Sequence, residues 1–301
     1  MNLLITGAWA EAWDHIPALE AMGHRVAFLQ QEAESLPCDP GWVEGAVCNG
    51  LFLHHPMADF PRLRYLQLTS AGTDRVDVDY VNQKGIALRT ARGVYSVPMA
   101  EFALCGVLQL YKQAAFFRDN QRQRRWEKHR GLRELCGSTV LILGCGSVGC
   151  ACARCFAALG CRVVGLDPVS VVHPAFAEVL PLSRLESCLP EADVVVLTLP
   201  LTPQTRGMAD SRFFSLLKPG SVLVNISRGR VAEEAALVEA LRSGRLSGAV
   251  LDVFETEPLP ADSPLWDLDG VLLTPHNSFV GEGNAARLTR LILSNLEAFA
   301  R

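Results

Sequence analysis

The chain has 301 residues, of which 49% are apolar and 20% charged, and this composition excludes intrinsically disordered, collagen-like and coiled-coil proteins. Its formal net charge of −4 gives no overall field that would draw it to nucleic acid or to an anionic membrane. The length predicts two domains, and the acidic Glu11 and Asp14 near the start are atypical of a signal peptide, so we expect a cytoplasmic protein.

Apolar runs alternate with helical patterns along the chain, which is typical of a layered α/β protein. In the first part we predict strands at 3–6, 25–29, 46–48, 63–68 and 86–88, followed by an apolar helix at 96–117. In the next part of the chain, apolar runs predict buried strands at 139–143, 162–166, 193–197, 221–226, 248–253 and 271–273. Their unbroken apolar character favours a parallel sheet that is covered on both faces. A last helix at 283–299 is expected to pack back on the first part.

The apolar stretch from Val140 to Cys161 has the composition of a membrane span. Four glycines interrupt it and Arg154 would lie near its centre, which favours a strand, a turn and a helix instead. The same stretch holds five of the ten cysteines, including a CxxC at Cys152–Cys155. Because no second pair or histidine follows at zinc-site spacing, packing of reduced thiols is favoured over metal or redox chemistry.

The segment Lys112–Arg133 is strongly basic. A nucleic-acid-binding stripe is one interpretation, but a solvated helix or an arm at a subunit interface fits the pattern better. We therefore expect neither nucleic acid nor a membrane as a partner.

The strongest local motif is G-x-G-x-x-G at Gly144–Gly149, directly after a predicted strand and at the start of a helix. Gly144 permits a tight turn, Gly146 lets the backbone approach a pyrophosphate, and Gly149 allows the helix to pack closely. The next strand ends in Asp167, which can accept hydrogen bonds from a ribose diol and would repel a 2′-phosphate, so NAD is favoured over NADP. A glycine turn without a ligand is the alternative. A weaker dinucleotide pattern at Thr6-Gly7-Ala8 lacks the later glycines.

Charged side chains follow three of the predicted strands. Arg228 comes after 221–226, Glu257 after 248–253 and His276 after 271–273. Singly, each has an ordinary explanation as a surface cation, a loop residue or a hydrogen-bonded loop histidine. Ligands bind beyond the carboxyl ends of strands in open α/β sheets, so together the three predict a catalytic site beside the nucleotide.

With these motifs the chain resembles the D-isomer-specific 2-hydroxyacid dehydrogenases over about residues 46–295. The further motifs are LQLTSAGTD at 66–74, GVYSVPMAE at 93–101, LPLTPQT at 199–205, NISRG at 225–229, DVFETEP at 252–258 and TPH at 274–276. The resemblance implies a two-lobed α/β fold. A Rossmann-type doubly wound parallel sheet that binds NAD (99–276) is inserted into a smaller flavodoxin-like substrate-binding, catalytic domain (1–98 and 277–301). A dimerisation arm around 110–136 and a homodimer are also implied.

The resemblance further implies an NAD(H)-dependent oxidoreductase that interconverts a small 2-oxo acid and its D-2-hydroxy acid by hydride transfer. Arg228 would hold the substrate carboxylate and polarise the keto oxygen. His276 would donate or remove the proton, while Glu257 would hydrogen-bond the imidazole and favour its protonated form.

The remaining contacts that the resemblance implies are mostly made by the backbone. Amides around Ser70, Ala71 and Gly72 would complete the carboxylate cradle. On the cofactor, Ser147 and Val148 would meet the pyrophosphate, Leu199 and Pro200 would border the adenosine, Ile226 and Ser227 would lie beside the nicotinamide, and Asp252 would bind its carboxamide.

Departures from the family pattern bear on the substrate. Leu68-Thr69 stands where phosphoglycerate dehydrogenases usually have an arginine, and no regulatory domain is expected after Arg301. Both favour a small unphosphorylated acid, as in glyoxylate or hydroxypyruvate reductases, over the alternative, 3-phosphoglycerate. Glu257, in place of Gln, speaks against a formate dehydrogenase, and Asn277-Ser278-Phe279 after the histidine points to different side-chain specificity.

Two further expectations concern the first lobe and the class of protein. The loop Asn49–His55 should face the cleft, with His54-His55 in the substrate pocket or on the surface; a metal pair there is disfavoured, and no metal site is expected. A corepressor-like protein that responds to NADH and binds protein partners is the non-enzyme alternative.

Overall fold

The computed structural model describes residues 1–300, so the last residue of the predicted range 277–301 lies outside the described part. The strands are β1 (Asn2–Thr6), β2 (Arg25–Leu29), β3 (Gly45–Cys48), β4 (Tyr65–Leu68), β5 (Ala87–Arg89), β6 (Thr139–Leu143), β7 (Arg162–Leu166), β8 (Glu178–Leu180), β9 (Val194–Leu197), β10 (Ser221–Asn225), β11 (Leu246–Leu251) and β12 (Val271–Leu273). The helices are α1 (Ala12–Ala21), α2 (Val78–Gln83), α3 (Ser96–Tyr111), α4 (Ala114–Arg122), α5 (Ser147–Ala158), α6 (Leu185–Cys188), α7 (Ser211–Leu216), α8 (Glu234–Arg242) and α9 (Asn284–Ala300).

The chain divides into two compact units. The first comprises Met1–Tyr95 and the chain from Gly281 onward, and the second is Ser96–Val280. Each unit is built around its own parallel sheet.

The first unit has a five-stranded sheet in the order β2-β1-β3-β4-β5, with every neighbouring pair parallel. This is the flavodoxin-like order, as predicted. Helix α9 buries Leu288, Ile292 and Leu296 in the same apolar cluster as Leu3 and Ile5 of β1. The prediction that the last helix packs on the first part of the chain is therefore confirmed.

The second unit has a seven-stranded parallel sheet in the order β12-β11-β10-β9-β6-β7-β8. Counted from β6, the first six strands have the order 3-2-1-4-5-6 of dinucleotide-binding folds, which confirms the Rossmann-type prediction. The strand order reverses between β6 and β9, so the chain segments that follow Leu143 and Leu197 meet at one point of the carboxyl edge. A ligand is expected to bind there.

Two elements differ from the sequence-based expectation. The predicted helix at 96–117 is interrupted after Tyr111, because Gln113 takes a left-handed backbone conformation with φ of 53° before α4 begins. Strand β8 was not predicted because it is only three residues long and lies at the sheet edge with Glu178 exposed, so it shows no apolar run.

The apolar stretch from Val140 to Cys161 forms β6, a glycine turn and α5, as predicted. Within residues 1–300, no helix combines the length and the apolar character that a membrane crossing requires.

Candidate functional site

The glycine turn after β6 has the geometry of a dinucleotide site. Gly144 has a φ of +98°, which side chains other than glycine rarely tolerate. A Cβ on Gly149 would lie 1.9 Å from the carbonyl oxygen of Gly144, so helix α5 packs against the turn only because residue 149 has no side chain. A Cβ on Gly146 would meet nothing within 4 Å, which leaves open space at the start of α5. There the amides of Ser147 and Val148 begin the helix, whose N-terminus favours an anion.

Asp167 follows β7 and points toward this turn. Its Oδ2 accepts a hydrogen bond from the backbone amide of Cys145 at 2.7 Å, and its Oδ1 accepts one from the amide of Val169 at 2.8 Å. The carboxylate thus lies beside the glycine turn at the end of the neighbouring strand.

The segment after β9 closes the other side of the turn. Leu199 is buried in the core, Pro200 is exposed, and the Pro200 carbonyl accepts a hydrogen bond from Thr205 Oγ1 at 2.6 Å. Thr198 was missed by the sequence reasoning. Its hydroxyl donates to the carbonyl oxygens of Gly144 at 2.6 Å and Leu143 at 3.0 Å, and so joins the ends of β6 and β9. The sequence does carry a signal for this residue, because a threonine directly follows the apolar run that forms β9, the neighbour of β6 in the sheet.

Arg228 is held by a tight turn after β10. Asn225 Oδ1 accepts the amide and the hydroxyl of Ser227 at 3.1 and 2.9 Å, and Asn225 Nδ2 donates to the Arg228 carbonyl at 3.2 Å. The Arg228 guanidinium donates to the Ser227 carbonyl at 2.8 Å. Ile226 and Ser227 are buried, so the turn fixes the backbone on which the half-buried Arg228 stands.

His276 and Glu257 form a hydrogen-bonded pair. Nδ1 of His276 lies 2.8 Å from Oε2 of Glu257, and the other oxygen of Glu257 accepts the amide of Phe254 at 3.1 Å. The two side chains are 43% and 37% exposed, which leaves the pair open to a ligand. With Glu257 on Nδ1, the nitrogen that can exchange a proton with a substrate is Nε2.

Asp252 is fully buried and anchors the loop that carries His276. Its Oδ1 accepts the Thr274 hydroxyl at 2.6 Å and the Asn277 amide at 2.7 Å, and its Oδ2 accepts the Ser278 amide at 2.9 Å. Its backbone carbonyl accepts the amide of His276 at 2.8 Å. This anchoring was not foreseen; contact with a nicotinamide carboxamide stays a prediction.

The loop that carries Arg228 packs closely against the loop that leads to Glu257. A Cβ on Gly229 would lie 1.9 Å from the backbone carbonyl of Phe254, so the glycine next to Arg228 lets the two strand ends approach. The second unit therefore brings Arg228, Glu257 and His276 to three adjacent ends of its sheet, because β10, β11 and β12 are neighbours.

The predicted carboxylate cradle, Ser70–Gly72, follows β4 in the first unit. The Ser70 hydroxyl donates to the Gly72 carbonyl at 2.8 Å, and the Ala91 amide donates to the Ser70 carbonyl at 2.8 Å. Among the described residues, the hydrogen bonds that shape this turn use none of the backbone N–H groups of Ser70, Ala71 and Gly72 as donors. These amides can therefore donate to an anion.

The cysteines are all free thiols. Burial raises the pKa of Cys145 to about 12 and that of Cys161 to about 11, so neither is a thiolate near neutral pH. Within residues 1–300, no three His, Cys, Asp or Glu side chains are grouped as metal ligands would be. The cytoplasmic location inferred from the sequence stays a prediction.

Comparison with known proteins gives a consistent result. The profile described as "D-isomer specific 2-hydroxyacid dehydrogenase, NAD binding domain" matches residues 104–278. The chain is 35% identical over 242 residues to the (S)-sulfolactate dehydrogenase of Chromohalobacter salexigens, covering 80% of this chain and 78% of the relative. It is 33% identical over 248 residues to the glyoxylate reductase of Korarchaeum cryptofilum, covering 80% and 74%. The structure of D-lactate dehydrogenase from Aquifex aeolicus with NAD and lactic acid superposes with a TM-score of 0.81 at 26% identity, covering 99% and 95%.

Gly149 and Gly146 lie in different surroundings, so alanine substitutions at the two positions should have different effects. Gly149→Ala should weaken NADH binding by at least about tenfold and also lower the unfolding midpoint, because its Cβ overlaps the Gly144 carbonyl. Gly146→Ala has room in the protein and should weaken NADH binding while leaving the unfolding midpoint unchanged. Fluorescence titration with NADH and urea unfolding of both variants separate the two effects. Unchanged NADH affinity in both variants would contradict this assignment of the turn.

Proposed function

Because the chain belongs to the family of D-isomer-specific 2-hydroxyacid dehydrogenases and is an NAD-dependent oxidoreductase, we propose that it interconverts a small unphosphorylated 2-oxo acid and its D-2-hydroxy acid. The observation that carries the proposal is the 2.8 Å contact between His276 Nδ1 and Glu257 Oε2, with Arg228 at the adjacent strand end. This pair provides a proton donor beside a cation that can bind a carboxylate, as turnover of a 2-oxo acid requires.

The chain's own residues supply the charge and the proton in reduction. The guanidinium of Arg228 matches a carboxylate with two parallel hydrogen bonds, and it stabilises negative charge on the keto oxygen as this develops. His276 donates its Nε2 proton to that oxygen, and the carboxylate of Glu257 balances the charge of the imidazolium. Bound NADH supplies the hydride. Oxidation of the hydroxy acid runs through the same residues, with Nε2 accepting the proton.

The cofactor is placed by the second unit. We assign the pyrophosphate to the amides of Ser147 and Val148, the adenosine to Leu199 and Pro200, and the nicotinamide to Ile226 and Ser227. In the first unit, we assign the amides of Ser70–Gly72 to the substrate carboxylate. The open space at Gly146 and the orientation of Asp167 toward the turn support the assignment of the pyrophosphate.

The substrate class follows from the residues before the cradle. Leu68 and Thr69 are buried, and neither carries the positive charge that a phosphate would require at that position. Relatives named glyoxylate reductase and D-lactate dehydrogenase support a small acid, whereas a D-3-phosphoglycerate dehydrogenase that is 36% identical over 223 residues supports the alternative. Turnover of glyoxylate, hydroxypyruvate, 2-oxoisocaproate and phosphohydroxypyruvate with NADH tests this assignment; preference for the phosphorylated acid would favour a phosphoglycerate dehydrogenase.

His276→Ala should lower kcat for every accepted 2-oxo acid by at least about 100-fold, because the general acid is lost, while NADH binds as before. His15→Ala is the matched control, since this half-buried histidine of the first unit stacks on Trp9. Steady-state kinetics and NADH titration give the two readouts. If His276→Ala keeps the wild-type kcat, the proton-transfer assignment is wrong.

Asp167 is the predicted determinant of cofactor choice. Asp167→Asn removes the charge but keeps one oxygen for the Cys145 amide, and the NADH-over-NADPH ratio of kcat/KM should fall by about tenfold or more. Asp167→Ala should lower the ratio similarly and weaken the turn as well. An unaltered ratio in both variants would contradict the ribose-diol role.

We also propose that the protein is a homodimer joined through the basic arm around 110–136. Residues 112–133 contain eight Lys and Arg and two Asp and Glu, so the formal net charge of this segment is +6. The chain as a whole has a formal net charge of −4, which leaves −10 on the rest of the chain. Trp126 in the same segment is 99% exposed. A fully exposed Trp on an arm of charge opposite to the rest of the chain fits a second copy of this chain.

Sedimentation should show the wild type at twice the 32.8 kDa chain mass, and Trp126→Ala should shift it toward the monomer. Trp13→Ala is the control, because Trp13 is also exposed but packs on Phe28 in the first unit. A wild type that sediments as a monomer at micromolar concentration overturns the dimer.

A further inference from the structure

One carboxylate joins the carboxyl ends of three strands in the first unit. Glu32 follows β2, and its Oε1 accepts the hydroxyl of Thr6 at 2.7 Å and the amide of Asn49 at 2.7 Å. Its Oε2 accepts the amide of Gly50 at 2.6 Å. Thr6 ends β1 and Asn49 follows β3, so Glu32 fixes the relative position of these strand ends.

The loop that Glu32 holds presents an apolar side chain to solvent. Leu51 is fully buried and anchors the loop, and His55 donates from Nε2 to the Glu32 carbonyl at 3.1 Å. Between these two fixed points, Leu53 is 62% exposed. The loop is therefore secured by the buried Leu51, by the half-buried His55 and by Glu32, while Leu53 between them is exposed and can meet a ligand.

This loop starts alongside the carboxylate cradle. Strands β3 and β4 are paired with Cys48 opposite Leu68, and the Thr69 amide donates to the Cys48 carbonyl at 2.9 Å. The Thr69 carbonyl in turn accepts the hydroxyl of Tyr95. Asn49 thus leaves the sheet next to the residues that lead into Ser70–Gly72.

We propose that Glu32 is a positioning residue for substrate selection, which holds the loop Asn49–His55 so that Leu53 contacts the substituent on C2 of the 2-oxo acid. This proposal rests on the proposed function. A substrate anchored by its carboxylate at Ser70–Gly72 places its substituent within reach of the neighbouring strand end, and an apolar side chain there favours an apolar substituent. The loop gains this role only if its backbone is held in place.

A carboxylate is required because all three of its partners are donors. In Glu32→Gln, the side chain keeps a single oxygen. If that oxygen replaces Oε1, the NH₂ group faces the N–H of Gly50, and if it replaces Oε2, the NH₂ group faces the N–H of Asn49. In each orientation a donor opposes a donor, so the loop must move although the side chain keeps its size.

The test compares substrates of different size. Glu32→Gln should lower kcat/KM for 2-oxoisocaproate by at least about tenfold, mainly through KM, and leave kcat/KM for glyoxylate within about twofold, because glyoxylate has only hydrogen at C2. The affinity for NADH should not change. Thr6→Val removes one donor to the same carboxylate and should also lower kcat/KM for 2-oxoisocaproate relative to glyoxylate. Thr6→Ser keeps the hydroxyl and should leave this ratio unchanged.

The matched control is Glu44→Gln. Glu44 also accepts a backbone amide, that of Asn2 at 2.9 Å, but at the opposite end of the same sheet. Glu44→Gln should leave the ratio of kcat/KM for 2-oxoisocaproate to kcat/KM for glyoxylate unchanged.

Each outcome decides one proposal. An equal loss for both acids in Glu32→Gln, or no loss, overturns the role of Glu32, and so does a wild type that accepts glyoxylate alone. A wild type that reduces none of the 2-oxo acids overturns the proposed function instead. If Glu32→Gln does not fold, the Thr6→Val and Thr6→Ser pair decides the question.

Discussion

The loop that carries His276, the proposed proton donor, depends on one buried carboxylate. Asp252 has no contact with solvent, and burial of an unpaired charge would be strongly unfavourable. Three donors from the loop after β12 offset this cost, and the backbone carbonyl of Asp252 binds the amide of His276 as well. These bonds keep His276 in the left-handed region, at a φ of 52°, which costs free energy for a residue other than glycine. In that conformation its imidazole meets Glu257.

Acidic side chains hold loops in the same way elsewhere on both sheets. Asp167 accepts an amide of the glycine turn, Glu257 accepts the amide of Phe254, and Glu32 accepts two amides of the loop after β3. Hydrogen bonds from backbone N–H groups to a charged acceptor are stronger than those between neutral groups. Hydride transfer needs reacting atoms held within a narrow range of distance and angle, and loops fixed by such bonds meet that need better than mobile ones.

The sequence predicts the two sheets and the positions of Arg228, Glu257 and His276 after strands of the second sheet, because these signals are local. The β6 strand, the glycine turn and α5 are contiguous, and Arg228, Glu257 and His276 lie in the segments that follow β10, β11 and β12. The acidic anchors are harder to foresee, because Glu32 binds partners 26, 17 and 18 positions away and only the folded sheet brings them together. The break at Gln113 was missed for a related reason, since no glycine or proline marks it.

The most direct measurement follows the hydride itself. NADH that carries deuterium at the transferable C4 position is incubated with the protein and a 2-oxo acid, and the product is separated by chiral chromatography and analysed by mass spectrometry. Transfer from the cofactor to the keto carbon predicts one D-2-hydroxy acid with deuterium at C2. Tight binding of NADH with no labelled hydroxy acid from any 2-oxo acid would contradict catalysis and favour a protein that only senses the cofactor.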